Sequence, residues 1–178
     1  QKAIKERKFV ESHMKKALDN NEFIIYLQPK FSISSGEAIG YEALVRWQSP
    51  EKGMIYPDGF IPLFEENGFI TKLDAYVWEC ACMVLRDWID RHFTPLPISV
   101  NVSRANLDDE SFLDVLDGLI DKYRLPKPLL ELEITECIEN DATLGLTEKR
   151  KAHGVVVLRD GFGSGYSSLN PLQETSFD

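Results

Sequence analysis

Apolar and polar side chains along this chain fall into alternating strand-like and helix-like patterns. Residues 23–33 (FIIYLQPKFSI) and 37–47 (EAIGYEALVRW) are rich in aromatic and β-branched residues and read as strands. Ser34-Ser35-Gly36 supplies the turn between them, which predicts a hairpin. Pro57-Asp58-Gly59 precedes a short helix over 60–66, and Gly68 stops it. Residues 69–91 carry the 3.6-residue apolar spacing of a long amphipathic helix. Strands are predicted at 96–103, 129–135 and 154–160. One helix between them runs to Tyr123, capped by Asp108-Asp109, and another runs to about Ala152. Strand–helix alternation of this kind predicts an α/β fold with a mainly parallel sheet under helices.

The polar residues within these strands point to chemistry. In the second strand Ile39, Tyr41 and Ala43 share one face, and Gly40, Glu42 and Leu44 the other. Ile98, Val100 and Val102 oppose Ser99, Asn101 and Ser103, and Leu130, Leu132 and Ile134 alternate with Glu131, Glu133 and Thr135. Residues 155–160 are apolar on both faces until Arg159-Asp160. Glu42, Asn101, Glu133 and Asp160 are expected at one common level, late in four strands. In a (β/α)₈ barrel that end carries the active site. Carboxylates gathered there need a cation, since unpaired buried charge is costly. An all-oxygen donor set suits Mg²⁺ or Mn²⁺. Glu131 shares a face with Glu133, and the pattern assigns it no role beyond a solvated residue near the barrel bottom.

Composition narrows the partners. A formal net charge of −9 and a pI near 4.9 argue against a nucleic-acid polymer. A small phosphate ligand stays compatible, because a bound metal inverts the local potential. No apolar run reaches membrane-span length, so no membrane insertion is expected of this segment. Cys80, Cys82 and Cys137 lie in apolar contexts and read as reduced, cytoplasmic thiols. His13, His92 and His153 are isolated and read as surface residues, while Trp47, Trp78 and Trp88 read as core. Residues 1–22 set six cationic residues against four acidic ones, leaving +2 there and −11 in the remainder. Phe9, Val10, Met14, Ala17 and Leu18 recur there at helical spacing, which predicts a linker or signalling helix ahead of a domain at 23–178.

YEALVRW at 41–47 resembles the EAL domain family, phosphodiesterases of the second messenger cyclic di-GMP. The match continues in order through YLQP at 26–29, FIPLFEENGFI at 60–70, SVNVS at 99–103, ELEITE at 131–136 and DGFGSGYSSL at 160–169. The resemblance implies a TIM-like (β/α)₈ barrel of the EAL type and hydrolysis of cyclic di-GMP to the linear dinucleotide pGpG with Mg²⁺ or Mn²⁺. It implies that Glu42, Asn101, Glu133 and Asp160 bind the catalytic metal, the same four residues that the strand patterns select. It further implies that Gln28, Leu44 and Arg46 contact substrate, and that Glu136 supports the loop at 160–165. A homodimer and an upstream GGDEF cyclase domain are the partners that such domains imply.

Two departures from the family stand out. Gly161 replaces the second aspartate of the family's DDFGTG loop, which serves a second metal; a glycine there removes one carboxylate. The family's later strands, which carry a lysine, a base glutamate and a glutamine, have no match within 178 residues. The expectation is therefore a barrel truncated after about its fifth or sixth strand, as a fragment of a longer protein would be. The alternative function is an inactive regulatory module that binds cyclic di-GMP or dimerises.

Overall fold

The computed structural model describes residues 1–109, 111–135 and 156–160; for Thr135, Arg159 and Asp160 only the backbone is described. Helix α1 (Lys2–Asp19) leads into β1 (Phe23–Phe31) and β2 (Ala38–Ser49), an antiparallel hairpin extended by the short β3 (Gly53–Ile55). Two helices follow, α2 (Ile61–Asn67) and α3 (Ile70–Asp90). The chain then alternates β4 (Ile98–Asn101), α4 (Arg104–Leu107), α5 (Phe112–Lys122) and β5 (Leu130–Thr135), and β6 (Val156–Asp160) closes the described part. The six strands form one sheet in the order β1-β2-β4-β5-β6, with β3 on β2; the β2–β4, β4–β5 and β5–β6 pairs are parallel. Parallel neighbours need a crossover; α2 and α3 supply it between β2 and β4, and α4 and α5 between β4 and β5.

One face of this sheet is buried under the helices. Trp47, Phe23, Phe60 and Phe64 are essentially buried, and neighbouring rings in this group meet with centroids 5.2–6.1 Å apart. The register places Phe23 opposite Trp47 and Leu27 opposite Ala43, so the apolar residues of β1 and β2 share that face. Helix α1 joins the same core: Val10 and Ala17 are buried, Phe9 stacks on Trp47, and Arg7 pairs with Glu66 of α2. Glu22 accepts the Trp47 indole N–H at 2.9 Å, tying the α1–β1 corner to β2.

The elements differ from expectation at their edges. β4 is four residues long: Val102 N–H still donates to β5, and the chain leaves the sheet at Ser103, whose N–H donates to Asp74 instead. The predicted helix from Asp108 to Tyr123 is α5, which starts at Phe112; α4, ahead of Asp108, is an additional short helix. Asp109 accepts the Ser111 N–H at 2.9 Å and so organises the turn before α5 rather than capping it directly. β3 was not expected; three residues carry too little alternation to register. His13 is not an isolated surface residue: its ring stacks on Phe9 and meets Glu51 at 3.3 Å. Trp47 and Trp78 are core residues as expected, and Trp88 packs half-buried against Tyr41. The predicted helix to Ala152, Cys137, Glu136 and the loop at 161–169 lie outside the described residues.

Candidate active site

The opposite face of the sheet carries the candidate site residues. Antiparallel pairing sets Gln28 opposite Glu42, Tyr26 opposite Leu44 and Ile24 opposite Arg46. Parallel pairing sets Glu42 level with Ser99, Ser99 with Glu131, and Asn101 with Glu133. Paired residues share a face, so Gln28, Glu42, Leu44, Arg46, Asn101 and Glu133 all stand on one side. The backbone of Asp160 pairs with Thr135, two positions beyond Glu133.

The four candidate ligands are therefore not at one register level. Counted from Glu42, the residues on β4, β5 and β6 are displaced by two, two and four positions. Strands tilted about a barrel axis are staggered by about one residue per strand, which is the trend seen here. Glu42 also lies near the middle of β2, not late in it, because β2 continues to Ser49. Sequence alternation reports the face of a side chain but not its height.

Asn101 and Glu133 are held firmly. Both are buried, and the Glu133 carbonyl accepts from Val102 N–H at 3.1 Å. The Trp78 indole donates to the Asn101 carbonyl at 3.0 Å. Asp74, buried on α3, accepts from Ser103 N–H at 2.9 Å and from Asn106 Nδ2 at 2.7 Å. Helix α3 thus grips the chain at and just after Asn101. Asp74 went unnoticed in the sequence, where it is one more polar residue on an amphipathic helix.

Arg46 is equally constrained. Its Nη1 donates to the Val45 carbonyl at 2.8 Å, and its guanidinium lies 5.9 Å from the Tyr26 ring and 5.3 Å from the Tyr56 ring. Both tyrosines are exposed, so a planar cation stands between two accessible aromatic faces. Leu44, two positions before it, is buried.

Below this level lies a residue missed from sequence. Lys30 Nζ is 3.1 Å from Ser99 Oγ, 3.1 Å from Glu131 Oε2 and 3.6 Å from Glu133 Oε1. Glu131 is accordingly paired rather than solvated. Among the described residues no three His, Cys, Asp or Glu side chains converge as a metal group. The described candidates are two carboxylates and one amide. Their oxygen donors, with Glu133 Oε2 accepting no hydrogen bond among the described residues, fit a hard divalent cation. A recess of about 470 Å³ between α3 and α5, lined by Arg86, Asp90, Lys122, Tyr123 and Arg124, shares no residue with this face.

The EAL domain family model matches residues 11–178. The chain belongs to the EAL domain family. Its fold is the TIM-like barrel of that family, whose phosphodiesterases depend on a divalent metal. It is 37% identical over 183 residues to an uncharacterized protein of Mycobacterium tuberculosis, covering 98% of this chain and 58% of the relative. It is 36% identical over 172 residues to the cyclic di-GMP phosphodiesterase NbdA of Pseudomonas aeruginosa, covering 95% of this chain and 22% of that protein. The solved PaMucR phosphodiesterase, in its c-di-GMP complex, superposes with a TM-score of 0.79 at 33% identity, covering 89% of this chain and 66% of that one. The EAL segment thus spans only part of the length of these curated relatives. No helix among its described residues is long and apolar enough to cross a membrane.

Proposed function

We propose that this chain is the EAL phosphodiesterase part of its protein and hydrolyses cyclic di-GMP to pGpG. The observation that carries the reading is the shared sheet face of Gln28, Glu42, Leu44, Arg46, Asn101 and Glu133. On this reading Glu42, Asn101, Glu133 and Asp160 hold Mg²⁺ or Mn²⁺, and Glu136 supports the loop beyond Asp160. A divalent ion held there would supply water activation at neutral pH and charge stabilisation on the phosphoryl oxygens. Arg46 grips a phosphate oxygen through its remaining guanidinium donors, held in place by Val45 and the two tyrosines. Gln28 offers an amide beside Glu42, and Leu44 forms an apolar wall two residues from the metal carboxylate.

One observation favours a second reading. Gly161 leaves one carboxylate fewer next to Asp160 than the family pattern has, which weakens a second metal site and favours a domain that binds cyclic di-GMP without turnover. We extend the proposal to a homodimer and to an upstream GGDEF domain joined through α1, in the cytoplasm. These rest on the family resemblance and on the charged leading helix.

The test is a chromatographic time course of cyclic di-GMP with the full-length protein in Mg²⁺, in Mn²⁺, and with EDTA. Metal-dependent pGpG is expected. Unchanged cyclic di-GMP together with measurable binding would replace hydrolysis by the binding reading.

A further inference from the structure

Lys30 belongs to no part of the proposed ligand set, yet it lies against it. Its side chain leaves β1 opposite Gly40 and reaches past β2 to Ser99 on β4 and Glu131 on β5, 69 and 101 residues away in sequence. Gly40 opens that path. A Cβ there would stand 3.4 Å from Lys30 Cε and 2.9 Å from the Pro97 carbonyl oxygen.

The donors and acceptors favour one arrangement. An ammonium only donates, so Ser99 Oγ accepts from Lys30 and keeps its single proton to give. Two acceptors are in reach, Glu133 Oε1 at 2.7 Å and the Tyr41 carbonyl at 3.2 Å. The carboxylate is nearer and charged, and charge-assisted hydrogen bonds are the stronger. The serine proton therefore goes to Oε1, which also faces the ammonium at 3.6 Å. The oxygen left to ligate is Oε2.

We propose that Lys30 is a positioning residue for Glu133: it orients the Ser99 hydroxyl, and together they hold Oε1 so that Glu133 meets the divalent cation through Oε2. This rests on reading the sheet face as a divalent-metal site. A lysine that served only to pair Glu131 would leave the serine indifferent to it, so coupling between Lys30 and Ser99 separates the two roles.

The experiment is a calorimetric titration of Mn²⁺ alone into the full-length protein. Ser99→Ala is compared in the native background and in Lys30→Met/Glu131→Gln, which removes Lys30 and its Glu131 partner together, so that no charge is stranded at Glu131. Expected is a loss of Mn²⁺ affinity of about tenfold for Ser99→Ala in the native background, the scale of outer hydrogen-bond partners of metal ligands. In the paired background the same substitution should cost under about twofold, because groups acting in series are non-additive. Should that background fail to fold, Lys30→Gln, neutral and shorter, takes its place with the same expectation. Equal losses in both backgrounds, or no loss in the native one, overturn the proposal. Glu42→Gln is measured alongside. If it weakens Mn²⁺ binding and Ser99→Ala does not, the Lys30 proposal alone fails. If neither matters, the metal-site reading fails and takes the proposal with it.

Discussion

The two faces of the sheet are one residue apart and differ in nearly every physical respect. Trp47 is buried in an aromatic cluster, while its neighbour Arg46 stands between exposed tyrosines on the other side. Leu132 is fully buried under the helices, while Glu133 faces Ser99 and Lys30. Each large apolar side chain on the helical face contributes about 1.5–3 kcal/mol through burial. The ion pairs on the opposite face contribute little net stability, because desolvation offsets most of their attraction. Among the described residues most of the large buried apolar side chains therefore stand on the helical side, while the other face holds charges in positions that folding alone would not favour.

Substitutions on the two faces should fail in different ways. The largest effect is expected from Trp47→Ala, about 3–5 kcal/mol lost in urea unfolding, since a core aromatic is replaced by a cavity. A loss under about 1 kcal/mol would mean that α1 and the hairpin do not share one core. Glu133→Gln should do the converse: metal-dependent turnover of cyclic di-GMP falls about a thousandfold, some 4 kcal/mol of barrier, with a nearly unchanged unfolding midpoint. Retained turnover would remove Glu133 from the active site. Asp74→Ala tests the joint between the faces. It strips the acceptor from Ser103 N–H and Asn106 Nδ2 and is expected to cost about 2–3 kcal/mol of stability and to weaken Mn²⁺ binding as well. A stability loss with unaltered Mn²⁺ affinity would show that the grip on β4 does not reach Asn101.

Two smaller effects sharpen the contrast. Gly40→Ala crowds the Pro97 carbonyl and the Lys30 stem and should cost about 1–2 kcal/mol while lowering turnover. Full turnover would mean that Lys30 can take another route. Cys82, buried on α3 with its thiol pushed up to about 12 by burial, should resist alkylation at pH 8 in the folded protein. Labelling at the rate of a free thiol would show that the helical layer opens readily.

Much of the site was legible before the fold was known. Glu42, Asn101 and Glu133 each interrupt an apolar strand on its less apolar face, and the structure places all three on one side. Their stagger was not legible, since alternation along a strand carries no information about the offset between strands. Lys30 and Glu131 escaped for a related reason. A lysine next to a proline in a hairpin strand looks like an edge residue, and only the pairing of β1 with β2, β2 with β4 and β4 with β5 brings it to Glu131. Asp74 was hidden by helix periodicity, which tolerates one polar residue on a buried stripe without revealing what it binds.

The sequence by itself determined where the longer strands lie, which side of each is apolar, and which polar residues could act together. These are local properties, set by a side-chain period of two and by turn residues a few positions away. The tertiary structure alone decided the heights of those residues, the passage of Lys30 over Gly40, and the oxygen of Glu133 left open to a cation. Those depend on strand register and on hydrogen-bond partners 34 to 101 residues apart, which no local pattern encodes.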